Sequence, residues 1–289
     1  MPANPALSRL ARPSGGLAML AVDQREALRA MIAERTGQTV TDGDVTRFKV
    51  AAARALTPYA SAALVDPQFG WNAVLDQQAV DPACAMIAAA DHFLPGEDEF
   101  VRDAVIDESL DLGELGRQGA VALKLLVVWR PDGDPATRVA MVDDFVARCR
   151  QHNLVSIIEP VSRAPLSGEA DLDAGILAAA EKLGGLGADV YKAEVPTHGK
   201  GSAAEITDAC RRLDDHVDGT WVVLSSGVPA DRFPEAVALA CQAGASGFLA
   251  GRAVWASVVG SPDLERDLEQ VAVPALQRLV RVVDDTVGR

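Results

Sequence analysis

Residues 120–159, AVALKLLVVWRPDGDPATRVAMVDDFVARCRQHNLVSIIE, contain one complete unit of the fold. The run Ala120–Val128 is almost continuously apolar, as a parallel strand buried on both faces must be. Pro135–His152 then carries helical apolar spacing after an Asp-Pro start, and Leu154–Glu159 returns to an apolar run. Strand, helix and strand in this order form the crossover that joins neighbours in a parallel sheet. The same alternation extends in both directions. Apolar runs at Gly16–Val22, Ala60–Val65, Ala83–Ala89, Ala188–Val195, Thr220–Ser225 and Gly247–Ala250 bring the set to eight. Asp44–Leu56, Asp171–Leu183, Ala203–Leu213 and Pro234–Ala243 have helical spacing between them.

Eight such units in 289 residues predict an α/β protein, a single (β/α)8 TIM barrel occupying residues 1–289 as one domain. A doubly wound sheet needs fewer strands and a glycine-rich phosphate turn after the first, and neither GxGxxG nor GxxxxGK[ST] occurs. Leu94–Gly119, acidic and glycine-containing, reads as a long connection.

The composition narrows the partners. With 49% hydrophobic and 24% charged residues the chain can bury a large core. Forty-one acidic against twenty-seven basic residues give a net charge of −14, a poor match for nucleic acid or an anionic membrane face. Cys84, Cys149, Cys210 and Cys241 form no CxxC pair and read as buried reduced thiols, which suits the cytoplasm. There is no secretory h-region and no apolar run near the ~20 residues a bilayer requires. His92, His152, His198 and His216 lack metal-ligand spacing, so no metal is expected; His198 follows Lys192 closely enough to line the mouth, but reads more simply as a solvated loop histidine. The four tryptophans are too dispersed for base stacking and read as packing residues.

Only five of the basic residues are lysines, at 49, 124, 182, 192 and 200. In a barrel, reactive groups cluster at the C-terminal strand ends. Those ends carry Asp23-Gln24-Arg25, Asp66, Asp91-His92, Lys124 with Arg130 beyond it, Glu159, Lys192 with Glu194, Ser225-Ser226-Gly227 and Gly251-Arg252. The period of two puts Lys192 on one face with Val190 and Glu194. If that face points inward, desolvation favours a neutral, nucleophilic amine, the form that attacks a ketone; the alternative is an ion pair with Glu194. Lys124 lies within an apolar run and needs an acidic partner, for which Glu159 on the next strand is placed. Lys124 and Glu159 form either a structural pair or, with Lys192, a proton-transfer centre. Ser225-Ser226-Gly227 and Gly251-Arg252 occupy loops that commonly bind phosphate in barrels. For Arg25 and Gln24 a surface salt bridge and a second anion site both remain open. Apolar residues around Ala253–Val259 suit either a homo-oligomeric contact or internal packing.

These strand ends, as LAMLAVDQREA (17–27), LTPYAS (56–61), DVYKAEVP (189–196), LSSGV (224–228) and GRAVWA (251–256), resemble the class I tagatose-1,6-bisphosphate aldolase family over nearly the whole chain. The runs CAMIAAADHFLPG (84–96), ALKLLVVWR (122–130), IIEP (157–160) and FLAGRAVWASVVG (248–260) resemble its sulfofructose phosphate aldolase branch. The resemblance implies cleavage of 6-deoxy-6-sulfofructose 1-phosphate, a ketose phosphate of sulfoquinovose breakdown, to dihydroxyacetone phosphate and 3-sulfolactaldehyde, without a cofactor. It places Lys192 at the Schiff-base position and Asp23, Lys124 and Glu159 in the catalytic centre. Ser226, Gly227, Gly251 and Arg252 match the C1 phosphate site, and Gln24 and Arg25 become candidates for the sulfonate. The stretches 161–165 and 197–202 depart from the tagatose enzymes and bear on far-anion selectivity. The rival readings are an aldolase for tagatose or fructose bisphosphate and a noncatalytic sugar-phosphate-binding barrel.

Overall fold

The apolar runs pair edge to edge until the sheet closes on itself. In the computed structural model, which describes residues 5–166, 168, 169 and 171–287, the strands in chain order are β1 (Leu17–Ala21), β2 (Ala62–Val65), β3 (Ala85–Ala89), β4 (Asp91–Leu94), β5 (Asp103–Ile106), β6 (Ala120–Trp129), β7 (Val155–Ser162), β8 (Val190–Glu194), β9 (Thr220–Leu224) and β10 (Gly247–Ala250). Eight of them form a closed parallel barrel in the order β1-β10-β9-β8-β7-β6-β3-β2, with β2 returning to β1. Each expected strand is present within a few residues of its expected limits. The crossover helices Asp42–Leu56, Pro135–Gln151, Leu172–Leu183, Ala203–Asp214 and Phe233–Gln242 lie where the helical spacing predicted them. Several start on side-chain caps: Thr41 and Ser202 each form a capping box, with Asp44 and Glu205, and Asp134 and Asp171 accept from first-turn amides. Such a cap contributes about 1 kcal/mol and sets where the helix begins.

The expected connection Leu94–Gly119 is more structured than its composition suggested. Its residues Asp103–Ile106 form β5, antiparallel to β4, and Leu112–Arg117 is a short helix. The hairpin arises because Ala104 and Ile106 find apolar cover while Asp103 and Val105 face outward.

Side-chain alternation sorts the barrel into layers. Leu17, Met19, Ala21, Leu64, Ile87, Ala122, Val155, Ile157, Val190, Val222 and Leu249 form one buried cluster inside the barrel, joined by Leu10 of the 3-10 helix Pro5–Leu10. The other parity packs outward against the helices. Toward the C-terminal end, Leu126, Val128, Val161 and Leu224 form a smaller apolar cluster with Ala104. Period-two counting sets Asp23, Lys124, Glu159 and Lys192 between these two layers.

Val254, Trp255, Val258 and Val259 are buried within the chain, and the Trp255 ring meets Phe48 edge-on at 5.2 Å. Of the two readings of 253–259, internal packing is the one these four side chains follow. Trp71 and Trp221 are likewise core residues, and the four cysteines are unpaired. No described helix is long and apolar enough to cross a membrane.

Candidate active site

The polar layer is organised around two lysines. Lys124, 1% exposed, reaches three carboxylates: Asp23 Oδ2 at 2.7 Å, Asp91 Oδ2 at 2.8 Å and Glu159 Oε2 at 3.2 Å. Burial alone would depress the Lys124 pKa, but Asp23, Asp91 and Glu159 together hold it well above its ordinary value. Burial would likewise raise Asp23, yet the ammonium of Lys124, helped by Lys192, holds this carboxyl well below the usual carboxylate range. Lys124 is therefore a fixed cation and Asp23 a fixed anion. The expected Lys124–Glu159 contact is present, but it is the longest of the three.

Lys192, 3% exposed, contacts the other oxygen of the same acid, Glu159 Oε1, at 2.8 Å. The alternative partner Glu194 is engaged elsewhere: its Oε2 accepts the Ser162 N–H at 2.7 Å and Arg163 approaches Oε1 at 3.6 Å. Burial raises the Glu194 pKa, and Arg163 offsets part of that rise. Lys192 and Glu194 share the inward parity of β8, but Glu194 lies a layer nearer the mouth.

A cavity of about 560 Å³ opens onto Asp23, Lys124 and Glu159 from the C-terminal end, and Lys192 meets that wall through Glu159. Gln24, Arg25, Phe93, Arg163, Ser226 and Arg252 are also in its lining. The Gln24 Oε1 atom is buried with no hydrogen-bond partner among the described residues, and so is the Arg25 Nε. Arg25 is 7% exposed, donates from Nη2 to the Asp91 carboxylate at 2.8 Å and lies 4.1 Å over the Phe93 ring. The surface salt bridge considered for Arg25 is thus a buried one. Arg130, outside this lining, ties the hairpin connection to the barrel by donating to the Glu99 carboxylate and to the Ala164 carbonyl.

Ser226 and Gly227 form the turn after β9, and Gly251 and Arg252 the corner after β10. Gly227 has φ +75°, and a Cβ there would come within 2.3 Å of the His198 ring. At Gly251 a Cβ would meet the Ala21 carbonyl oxygen at 2.1 Å, so only glycine lets this corner approach β1. The Trp255 indole N–H donates to that same carbonyl at 2.9 Å. Arg252 is exposed at the rim.

Three participants escaped the sequence reading. Asp91 was visible as a strand-end acid, but not as the residue that joins Lys124, Arg25 and the Leu126 amide. Lys49, on the helix Asp42–Leu56, is fully buried, 2.5 Å from Asp66, and donates to the carbonyls of Val22 and Gln24 at 2.5 and 2.7 Å. Burial lowers its pKa, which Asp66 only partly offsets. Its ammonium thus grips the chain on both sides of Asp23, and the scarcity of lysine was the one available signal. His198 is no solvated loop residue: its ring is 16% exposed and its Nδ1 lies 2.9 Å from Asp173. Thr197 and His198 both have positive φ, 65° and 49°, a state that costs roughly 1–3 kcal/mol per non-glycine residue and persists only where the surroundings enforce it.

A closed TIM barrel with two lysines and their acids buried toward its C-terminal end has the parts that class I aldolase chemistry requires. A family model described as DeoC/LacD family aldolase matches residues 17–257, and the chain belongs to that family. It is 29% identical over 283 residues to tagatose 1,6-diphosphate aldolase 2 of Streptococcus mutans serotype c, covering 88% of this chain and 84% of the relative. It is 30% identical over 278 residues to tagatose 1,6-diphosphate aldolase of Listeria monocytogenes serotype 4a, covering 86% and 80%. Similar solved structures include fructose-bisphosphate aldolase from Plasmodium falciparum, with a TM-score of 0.68, 15% identity and coverage of 97% and 93%. Another is an archaeal fructose-1,6-bisphosphate aldolase whose catalytic lysine carries the carbinolamine, with a TM-score of 0.64, 14% identity and coverage of 97% and 99%. At these identities the structures attest the fold.

Proposed function

We propose that this aldolase cleaves 6-deoxy-6-sulfofructose 1-phosphate to dihydroxyacetone phosphate and 3-sulfolactaldehyde, with Lys192 as its Schiff-base lysine. The unequal surroundings of the two lysines carry this reading. Lys124 is held charged by three carboxylates and is unfit as a nucleophile, whereas Lys192 has a single carboxylate in contact among the described residues, Glu159 at 2.8 Å.

Lys192 passes a proton to Glu159 and its neutral amine attacks C2 of the ketose. The attacking nitrogen gives up a proton to the C2 oxyanion to form the carbinolamine, Glu159 returns its own proton to that C2 hydroxyl, water leaves and an iminium remains. Glu159, again a carboxylate, takes the proton of the C4 hydroxyl. The C3–C4 bond breaks, its electron pair flows into the iminium, and the aldehyde departs. Glu159 then protonates the enamine at C3, and water releases dihydroxyacetone phosphate from Lys192. Asp23, kept ionised by Lys124, serves as a fixed acceptor for a substrate hydroxyl, since a carboxyl with so low a pKa holds a proton poorly.

Ser226, Gly227, Gly251 and Arg252 bind the C1 phosphate, and Gln24 and Arg25 the C6 sulfonate. Charge supports the sulfonate. A phosphate monoester carries about −1.5 to −2 at neutral pH, and a sulfonate carries a single negative charge. The partners offered are a neutral amide and an arginine already paired with Asp91, in a cavity whose lining also contains Glu26, Asp98 and Arg163, with Glu99 held by Arg130. The second reading, tagatose 1,6-bisphosphate as substrate, is favoured by the names of the two bacterial relatives. Comparing kcat/KM for ketose 1-phosphates bearing a C6 sulfonate or a C6 phosphate separates them. At least about a tenfold sulfonate preference is expected, and a phosphate preference moves the assignment to tagatose bisphosphate.

A further inference from the structure

His198 sits where the loop after β8 meets the turn after β9, and the two are shaped for each other. The loop runs through Thr197, His198 and Gly199 with φ of 65°, 49° and 68°. This course seats the His198 ring against Gly227, where a Cβ would fall 2.3 Å from His198 Cδ2. A Cβ on Gly199 would in turn fall 2.9 Å from Val228 Cγ1. Each segment thus has glycine where the other presses on it. From the far side, Asp173 on the helix Leu172–Leu183 holds His198 Nδ1 at 2.9 Å. The turn itself is closed by one long hydrogen bond, Val228 N–H to the Ser225 carbonyl at 3.3 Å, so its shape depends on what packs against it.

We propose that His198 is a positioning residue for the substrate's C1 phosphate: its ring, braced by Asp173, fixes the Ser225–Gly227 turn in its anion-binding shape. The inference deepens the proposed function and rests on the phosphate site assigned there. The backbone strain is placed at the contact with this turn, and the helix after β7 and the loops after β8 and β9 are coupled through one imidazole. The residue acts on affinity for the phosphoryl group, and leaves the chemistry at Lys192 to the polar layer below.

His198→Asn is the informative variant, because asparagine tolerates positive φ and can still reach a hydrogen-bond partner while the ring is lost. Two measurements are needed. In borohydride trapping, the preference for dihydroxyacetone phosphate over unphosphorylated dihydroxyacetone falls about tenfold in His198→Asn. An unchanged preference overturns the proposal, since a merely structural role lowers trapping of both ligands together. In calorimetric titration with inorganic phosphate, which does not require Lys192, the Kd rises about tenfold in His198→Asn, and Arg252→Ala, which also weakens binding, locates the ion in this corner. Equal Kd values, or no phosphate binding by the unsubstituted protein, also overturn it. A phosphate Kd that depends on His198, with no adduct on Lys192, would refute the lysine assignment and leave this one standing.

Discussion

Lys124 and Lys192 share one carboxylate: Glu159 meets Lys192 through Oε1 at 2.8 Å and Lys124 through Oε2 at 3.2 Å. With Arg25, Asp23 and Asp91 they form a buried set of three cations and three anions joined in one chain of contacts. Such a set balances only when complete, because an unpaired charge in a dry interior is costly. Glu159 alone touches both lysines and also faces the cavity, which suits it to move protons while Lys124 stays charged.

Glu159→Gln keeps the side-chain shape and removes the shuttle. We expect kcat to fall about 10²- to 10⁴-fold, with imine formation slowed in single-turnover trapping. A kcat near that of the unsubstituted enzyme would assign the proton transfers elsewhere.

Lys124→Met should reverse the pH dependence of stability. Asp23 titrates below its ordinary 3.8 in the folded protein, so its contribution is complete above the ordinary carboxylate range and is lost as pH falls toward the depressed value. Lys124 titrates above its ordinary 10.5, so its contribution is complete below 10.5 and is lost as pH rises through the folded value. Without Lys124 the buried Asp23 loses the cation that holds it ionised, and burial then favours its protonated form. Denaturant unfolding should show a loss of about 3–5 kcal/mol at pH 7, partly recovered at pH 5. Parallel pH profiles for the two proteins would show that Lys124 does not hold Asp23 ionised.

Lys49 and Asp66 separate stability from activity. Lys49→Met strands a buried carboxylate and should cost about 3–5 kcal/mol. Lys49→Met with Asp66→Asn removes both charges and keeps an acceptor for the Phe69 amide now bound by Asp66. The pair should regain most of the stability. Its kcat should stay about tenfold low, because the carbonyls of Val22 and Gln24 have lost the ammonium that fixes Asp23 between them. Full recovery of kcat in the double variant would make Lys49 a purely structural residue.

Gln24→Ala tests the far-anion assignment. Loss of one amide contact to a charged group should lower kcat/KM for the C6-sulfonated ketose about tenfold. Trapping of dihydroxyacetone phosphate, which ends at C3, should change far less. Equal losses for both ligands would remove Gln24 from the sulfonate site.

The barrel was legible because buried parallel strands such as Ala120–Trp129 are nearly uniform in hydropathy, and the helices between them carry a different period. The β4–β5 hairpin was not, since Asp91–Leu94 and Asp103–Ile106 are short, mixed in polarity and pair only with each other. Asp23, Lys124, Glu159 and Lys192 stood out as charges at the ends of apolar runs. Lys49 did not, because a helix normally turns its lysines to solvent, and burial of this one depends on a carboxylate, Asp66, in the loop after β2. His198 was misread for a related reason. Its loop contains Gly199 and Gly201, which suggest a flexible solvent-facing turn, and its seat is created by a glycine 29 positions away, Gly227.

Intact-mass analysis after borohydride reduction with dihydroxyacetone phosphate, followed by peptide mapping, tests the central claim most directly. The unsubstituted protein should gain one adduct, located on Lys192, and Lys192→Ala should gain none. An adduct on Lys124, or one that survives in Lys192→Ala, would contradict the account.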